Sequence, residues 1–436
     1  MGDTDFVLLI RGIDAGATYL SYRWLDDPTH PVVHAVSEPR MRRLVAQLDS
    51  ALIGTSDAQS GEMHVRQAFS GQLTRYWSEY ALSEALTSAL LPDPVVQAIR
   101  EREARGPVLV RITPSRSMSR IPFELLIIDE NRRLIEAAEV CYEPPATIHV
   151  ARGRMPEAWS DLVAARPVLY AIDPAIPAGS GKQQVLPPHR GGVATAETNT
   201  TTFMHRVSCR PHTSTSGVHQ PLGRWELRDD LLERPGRLVY FGHVSSTVDS
   251  PGSASLHLDD DGAVWGLATL VNRAHRPFSA LDLLFGTAAP ELGPEDAEAV
   301  ELGRTGCELW PMPPRVALIA CEGGVDYRST ETFGLVMAML SAGAEVVTTT
   351  RWVVPSDRAF AELAGVTTVP GPTTELALAV DDTHSAPDPV TALAHWQRQK
   401  LAQWRDSPGP ATTPLTWAAV AAHVCPPRPV VFPAEQ

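Results

Sequence analysis

An α/β fold, with a mostly parallel sheet and helices on both of its faces, is what this sequence predicts. Short apolar runs rich in β-branched and aromatic residues recur without polar alternation, as strands buried on both faces do: "GPVLVRIT" from 106, "RPVLYAID" from 166, "RLVYFG" from 237 and "RVALIA" from 315. Segments with helical spacing lie among them, including "SEYALSEALTSALLPDPVVQAIRERE", "WELRDDLLE" and "ETFGLVMAMLSAG". Strands that alternate with helices in this way build three layers around one sheet.

In chain order, residues 1–90 predict a small α+β module. "DFVLLIRGI" and "ATYLSYRWL" alternate as paired strands, and "EPRMRRLVAQLDSAL" has helical spacing. This module is the expected sensor or docking part. Residues 91–436 form the main domain, with a stretch at about 174–224 rich in Pro, Ser, Thr, Gly and His that predicts a flexible insert. Beyond residue 330 a helix is expected with Phe333, Met337 and Leu340 on one face, Ser329 or Thr330 as its cap and Gly343 past its end. The strand "AEVVTTTRWVV" follows, and Asp357 is expected to cap the helix "RAFAELAG".

Composition excludes several classes of function. The 436 residues carry a formal charge of −14 and no Lys/Arg stripe, so no nucleic-acid partner is expected. No apolar run approaches the roughly 18 residues of a membrane span. The N-terminal "MGDTDFVLLIRG" lacks a basic n-region, and the 5 cysteines are scattered without CxxC spacing; both point to a reducing cytoplasm. No cofactor is expected. "AGSGKQQ" has Ile176 where a phosphate loop needs its first glycine and Gln183 where it needs Ser or Thr. His205, Cys209, His212 and His219 lack a second ligand knuckle, so no metal is expected there. Asn199-Thr200-Thr201 fits a glycosylation sequon by chance.

In a parallel sheet, reactive residues collect at the carboxyl ends of the strands. His243 follows "RLVYFG" and Cys321 follows "RVALIA", each at a glycine-containing turn, so both side chains are expected to emerge at one edge of one sheet. A thiol becomes nucleophilic when its proton leaves, and an imidazole can take that proton. The backbone N–H groups of Cys321 and Val244 are the candidate oxyanion donors, and Gly323 and Gly324 allow close approach of substrate. Either residue alone has a plainer explanation, a buried thiol or a structural hydrogen bond. It is their pairing at two strand ends of one domain that points to chemistry.

From about Leu90 to Val424 the chain resembles the CHAT family of caspase-like cysteine peptidases. The resemblance runs in order through "SRIPFELL", the strand ending at His243, "LIACEGG", "SAGAEVVTTTRWVVPSD" and "PLTWAAVAAHV". It implies a caspase-like fold, His243 as base and Cys321 as nucleophile. The family's His-Gly pair is replaced here by His243–Val244, and "SASLHLDDDGAVWGLATLVNRAHRPFSALDLLFG" together with the acidic "PELGPEDAEAVELG" reads as an insertion between the two reactive residues. Glu322, Asp326, Arg351 and Trp352 are the candidate substrate-pocket residues. Arg351 would suit an acidic residue before the cut and Asp326 a basic one, with the weight on Asp326. The expected function is a regulated cysteine endopeptidase in a bacterial defence or signalling pathway. It would cleave a partner protein, possibly one encoded nearby, and be released by an activating partner or ligand. The alternative is a catalytically inactive scaffold that binds partner proteins.

Overall fold

A computed structural model of the chain describes residues 6–53, 61–150, 152–182, 184–187, 198–245, 252–287, 305–320, 334–352 and 354–425. In chain order the strands of its two larger sheets are β1 (Phe6–Asp14), β2 (Ala17–Trp24), β3 (Val32–Ser37), β4 (Val108–Thr113), β5 (Glu139–Tyr142), β6 (Val168–Ile172), β7 (Gly217–Val218), β8 (Arg237–Gly242), β9 (Val244–Ser245), β10 (Ser255–Leu256), β11 (Phe278–Ser279), β12 (Arg315–Ala320), β13 (Val346–Thr350) and β14 (Val420–Val424). Eleven of them make one sheet in the order β3-β2-β1-β4-β5-β14-β13-β12-β8-β6-β7. From β1 to β7 neighbours are parallel, except that β14 runs antiparallel to β13. The mostly parallel sheet flanked by helices is therefore present, as a caspase-like α/β/α sandwich.

Every residue of β6, β8 and β13 is buried, which is why β6 and β8 read as apolar runs without polar alternation, while β13, "VVTTT", buries its threonines with its valines. β1 instead alternates, with Phe6, Leu8 and Ile10 turned inward. The boundary expected near residue 90 is crossed by the sheet: β1 pairs in parallel with β4 from Phe6↔Val108 to Arg11↔Thr113. One apolar core runs from Leu8 and Tyr22 to Trp404 and Trp417. The first ninety residues thus supply the antiparallel edge of the sheet.

Part of the stretch expected to be a loop is ordered. Thr198 accepts from the Thr201 N–H and caps the helix Asn199–Ser208, which buries Phe203 and Val207; β7 then pairs with β6. The helix Leu335–Ser341 buries Met337 and Leu340 as expected, and Gly343 beyond it takes φ 114°, a conformation other residues rarely adopt. Its expected caps, Ser329 and Thr330, lie outside the described residues, as does Phe333. The helix Asp357–Ala364 is capped by Ser356 rather than Asp357: the Ser356 hydroxyl accepts from the Ala359 N–H, and Asp357 accepts from the Thr373 and Thr374 N–H groups.

Two buried clusters fix the sheet. At the amino edge, Arg237 and Arg315 are register partners. Arg237 donates to Asp381 at 2.8 Å, and Arg315 donates to the His384 and Pro387 carbonyls at 2.8 Å, at and beyond the carboxyl end of the helix Pro372–Thr383. In the middle of the sheet Arg351, just past β13, donates to both Glu124 oxygens at 2.7 and 3.0 Å, to the Tyr142 hydroxyl at 2.8 Å and to the Val420 carbonyl at 3.1 Å. The Arg351 and Glu124 side chains are 2% and 1% exposed. Removing either one leaves a charge buried alone. Glu124→Gln and Arg351→Met are each expected to cost about 3–5 kcal/mol in urea unfolding, with the double variant costing clearly less than the sum; additive costs would show that the pair is not a unit.

His257, His384 and His423 are 0%, 0% and 2% exposed. Burial holds His257 down at about 2 and His423 at about 3, and pushes His384 well below the ordinary range. The unfolded chain binds these protons near pH 6.5 and the folded chain does not, so the stabilisation is complete above that pH and is lost as pH falls. Each such histidine steepens the loss by roughly 1.4 kcal/mol per pH unit. Urea midpoints are expected to drop between pH 6.5 and 5, ahead of the carboxylates, and less steeply in His423→Phe; a flat profile over that range would contradict the burial argument.

Candidate active site

The site is built at the carboxyl edge of β8. Parallel pairing with β12 runs from Arg237↔Arg315 to Gly242↔Ala320, the last described residue of β12. His243 is the next residue after Gly242 and is half-buried. Cys321, the next residue after Ala320, lies outside the described residues, as do the pocket candidates Glu322 and Asp326 and the turn glycines Gly323 and Gly324.

The His243 carbonyl accepts two bonds, one from Tyr240 and one from His257, and these two residues also bond to each other. The Tyr240 hydroxyl donates to the His243 carbonyl at 2.6 Å, stands 3.0 Å from the His257 carbonyl, and accepts from the His257 N–H at 3.2 Å. The His257 N–H also reaches the His243 carbonyl at 3.1 Å. Gly242 is what lets the Tyr240 ring fold back along its own strand: a Cβ at 242 would sit 3.0 Å from the tyrosine oxygen. A side chain there would crowd this hydroxyl where it bonds to the His243 carbonyl.

Past His243 the chain leaves the main sheet and enters a small one in which β9 pairs with β10 and β10 with β11. The segment that reads as an insertion in the sequence is therefore a wall of the site. Arg224, fully buried, organises it: the guanidinium donates to Asp260 at 2.8 Å and to the carbonyls of Trp265, Arg276 and Pro277. All its donors point inward to this one segment.

Antiparallel pairing also sets the direction of the Val244 amide. His257 bonds to His243 across the pair 243/257, so the next pair, Val244↔Leu256, is of the non-hydrogen-bonded kind. The Val244 N–H points away from β10, while its side chain is buried. Val in place of Gly at this position thus keeps an amide that β10 does not use.

Arg351 and Trp352, expected beside the substrate, belong to the packed interior. The guanidinium of Arg351 is committed to Glu124, Tyr142, Ile121 and Val420. The Trp352 indole donates to the Leu415 carbonyl at 2.9 Å, and the residue is 3% exposed. The physical reason is that β13 is buried on both faces, so no position at its end turns toward solvent by alternation.

The histidine-cysteine cluster also disperses. His205 and Cys209 sit one helical turn apart with the sulfur 3.4 Å from Nε2, but His212 turns to the Arg210 carbonyl and His219 to Asp173 at 3.1 Å. No group of three or more side chains with metal-ligand chemistry converges among the described residues. Among the described residues a cavity of about 700 Å³ lies at the opposite edge of the sheet, lined by Asp14, Arg42, Arg116 and Arg120 over Met41 and Leu48. It shares no residue with the site at His243.

Sequence reasoning missed Tyr240, Ser245, His257 and His275. Two of the four lie in the supposed insertion, where only the isolated histidines of "SLHLDD" and "RAHRPF" gave a signal.

No curated protein matches this chain. Among solved structures, a chain of the Saccharomyces cerevisiae separase–securin complex aligns with 96% of this chain and 30% of its own length, at 9% identity and a TM-score of 0.44. This chain thus spans under a third of that one. Among families of known domains, the CHAT domain matches residues 80–423. A match over that much of the sequence, on a sheet with this topology, means that the chain belongs to the CHAT domain family, in the caspase and legumain clan of cysteine peptidases.

Proposed function

We propose that the chain is a cysteine endopeptidase that cleaves a partner protein, with Cys321 as nucleophile and His243 as its base. One observation carries this reading: Ala320 is the register partner of Gly242, so the residues that follow on the two adjacent parallel strands are Cys321 and His243. Neighbouring strands run about 4.8 Å apart, and this spacing supports the pairing of a thiol with an imidazole one residue beyond a register pair. His243 takes the thiol proton, and the thiolate attacks the scissile carbonyl. The amide of Val244, turned away from β10, supports its assignment as an oxyanion donor together with the amide of Cys321. The proton passes to the departing amine as the C–N bond breaks, and water then hydrolyses the acyl-enzyme.

Cleavage of a partner protein is expected to fall at least about 1,000-fold in both Cys321→Ala and His243→Ala. A thiol-directed probe is expected to label Cys321 only when His243 is present. The partner is identified by mass spectrometry, as fragments produced by the wild type and missing with Cys321→Ala. Equal cleavage by all three proteins would sink the assignment, and selective labelling of another cysteine would favour a non-catalytic scaffold. A bacterial defence or signalling pathway, with the activity released by a partner or ligand, is the setting that fits an endopeptidase of this kind.

The buried pairing of Arg351 removes the basic candidate from the substrate pocket. The acidic candidates Glu322 and Asp326 are left, which favours Lys or Arg before the cut. A peptide library varied at that position is expected to show preference for Lys and Arg, weakened in Asp326→Ala; dominance of Asp or Glu would reverse the reading.

A further inference from the structure

Ser245, His257 and His275 stand in one line of hydrogen bonds. The Ser245 hydroxyl is 2.8 Å from His257 Nε2, His257 Nδ1 is 3.1 Å from His275 Nε2, and His275 Nδ1 is 2.7 Å from the Asp260 carbonyl. The direction of every proton follows from the last contact. A carbonyl only accepts, so His275 Nδ1 carries hydrogen; the Nε2 of a neutral His275 then accepts, so His257 Nδ1 donates, and His257 Nε2 accepts from Ser245. Each ring has one tautomer, and the serine proton points inward.

The same spacing would suit a serine nucleophile with a histidine base, but the interior forbids that use. His257 and His275 are both 0% exposed, and burial, the largest influence on each, keeps them neutral. At the far end of the line His275 Nδ1 bonds to a backbone carbonyl and not to a carboxylate oxygen. The line holds protons in place and does not take one up.

What it holds is the segment around His243. His257 grips that segment at three points: its N–H donates to the His243 carbonyl, its Nε2 takes the hydroxyl of Ser245 two residues on, and its ring stands edge-on to the His243 ring with centroids 6.3 Å apart and planes at 77°. His243 and Ser245 lie on the same face of an extended backbone, being two residues apart. We infer that the Ser245–His257–His275 line is the positioning device of His243, fixing the imidazole in the orientation from which it meets the thiol. This rests on His243 being the base of the proposed reaction. His257 and Ser245 touch no reacting atom and act through His243.

The test uses the full chain and two readouts. In Cys321→Ala protein with isotope-labelled histidine, NMR is expected to show His257 and His275 each as a single tautomer protonated at Nδ1, and His243 as one sharp set of ring signals. Ser245→Ala and His257→Phe are expected to broaden or split the His243 signals while the thermal midpoint shows the variant folded. In Cys321-intact protein the same two variants are expected to lower kcat about ten- to a hundredfold with KM unchanged, and Ser245→Thr, which keeps the hydroxyl, to restore it. Unchanged His243 signals together with wild-type kcat would overturn the inference. So would labelling of Ser245 by a fluorophosphonate, which would make the serine a nucleophile. If the wild type cleaves nothing, the proposed function fails, and the NMR readout still decides whether the line positions His243.

Discussion

The parallel pairing of β8 with β12 is the constraint on which the site rests. Both strands begin on a buried arginine, and both guanidiniums are tied to the region where the helix Pro372–Thr383 ends. A cation is favourable at that end of a helix, where carbonyls are left unpaired. Anchored at one edge, the two strands emerge level at the other, after Gly242 and Ala320. A slip of one residue would turn every side chain of a strand to the opposite face, which two strands packed on both faces do not tolerate. Distant arginines thereby determine where His243 leaves the sheet.

The central strands and the residue at the end of β8 were legible in the sequence because they depend on local pattern: continuous apolar runs, and a turn marked by glycine. What depends on contacts between distant residues was not. β1 and β4 are separated by nearly a hundred residues, and neither periodicity tells which strand it pairs with, so the N-terminal part read as a module of its own. His257 and His275 lie eighteen apart with no motif between them and meet only because β10 and β11 bring their segments together. Arg351 follows "VVTTT", whose residues are all buried, so alternation had no exposed face to mark. The cap expected at Asp357 falls one residue earlier, on Ser356, because the first amides of the helix Pro372–Thr383 claim the aspartate.

The buried polar groups divide by what each can do with its proton. Histidine can give its charge up, and inside this protein it does: His257 and His275 are neutral links, and His384 meets Thr348 through Nε2 at 2.7 Å. Arginine cannot, so each buried guanidinium collects acceptors instead. Arg224 takes the carboxylates of Asp260 and Asp282 and several carbonyls, and Arg351 a carboxylate, a hydroxyl and carbonyls. Such clusters are costly to break and add little over an apolar core of equal volume. Their directional bonds do what apolar packing cannot, which is to hold particular chain segments, among them the one carrying His257, in a single arrangement.

The position of β14 determines when the sheet can close. Residues 420–424 lie between β5 and β13, joining strands made early in the chain to strands made late, and the Val420 carbonyl is one of the acceptors of Arg351. A ribosome releases the chain from the amino end, at about 5–20 residues per second. The strands β1 to β5 and the strands β12 and β13 are therefore exposed for many seconds as two incomplete sheets, each with an open apolar edge where β14 will insert. Closure waits for nearly the last described residue, so the two edges meet only after Val424 has been made.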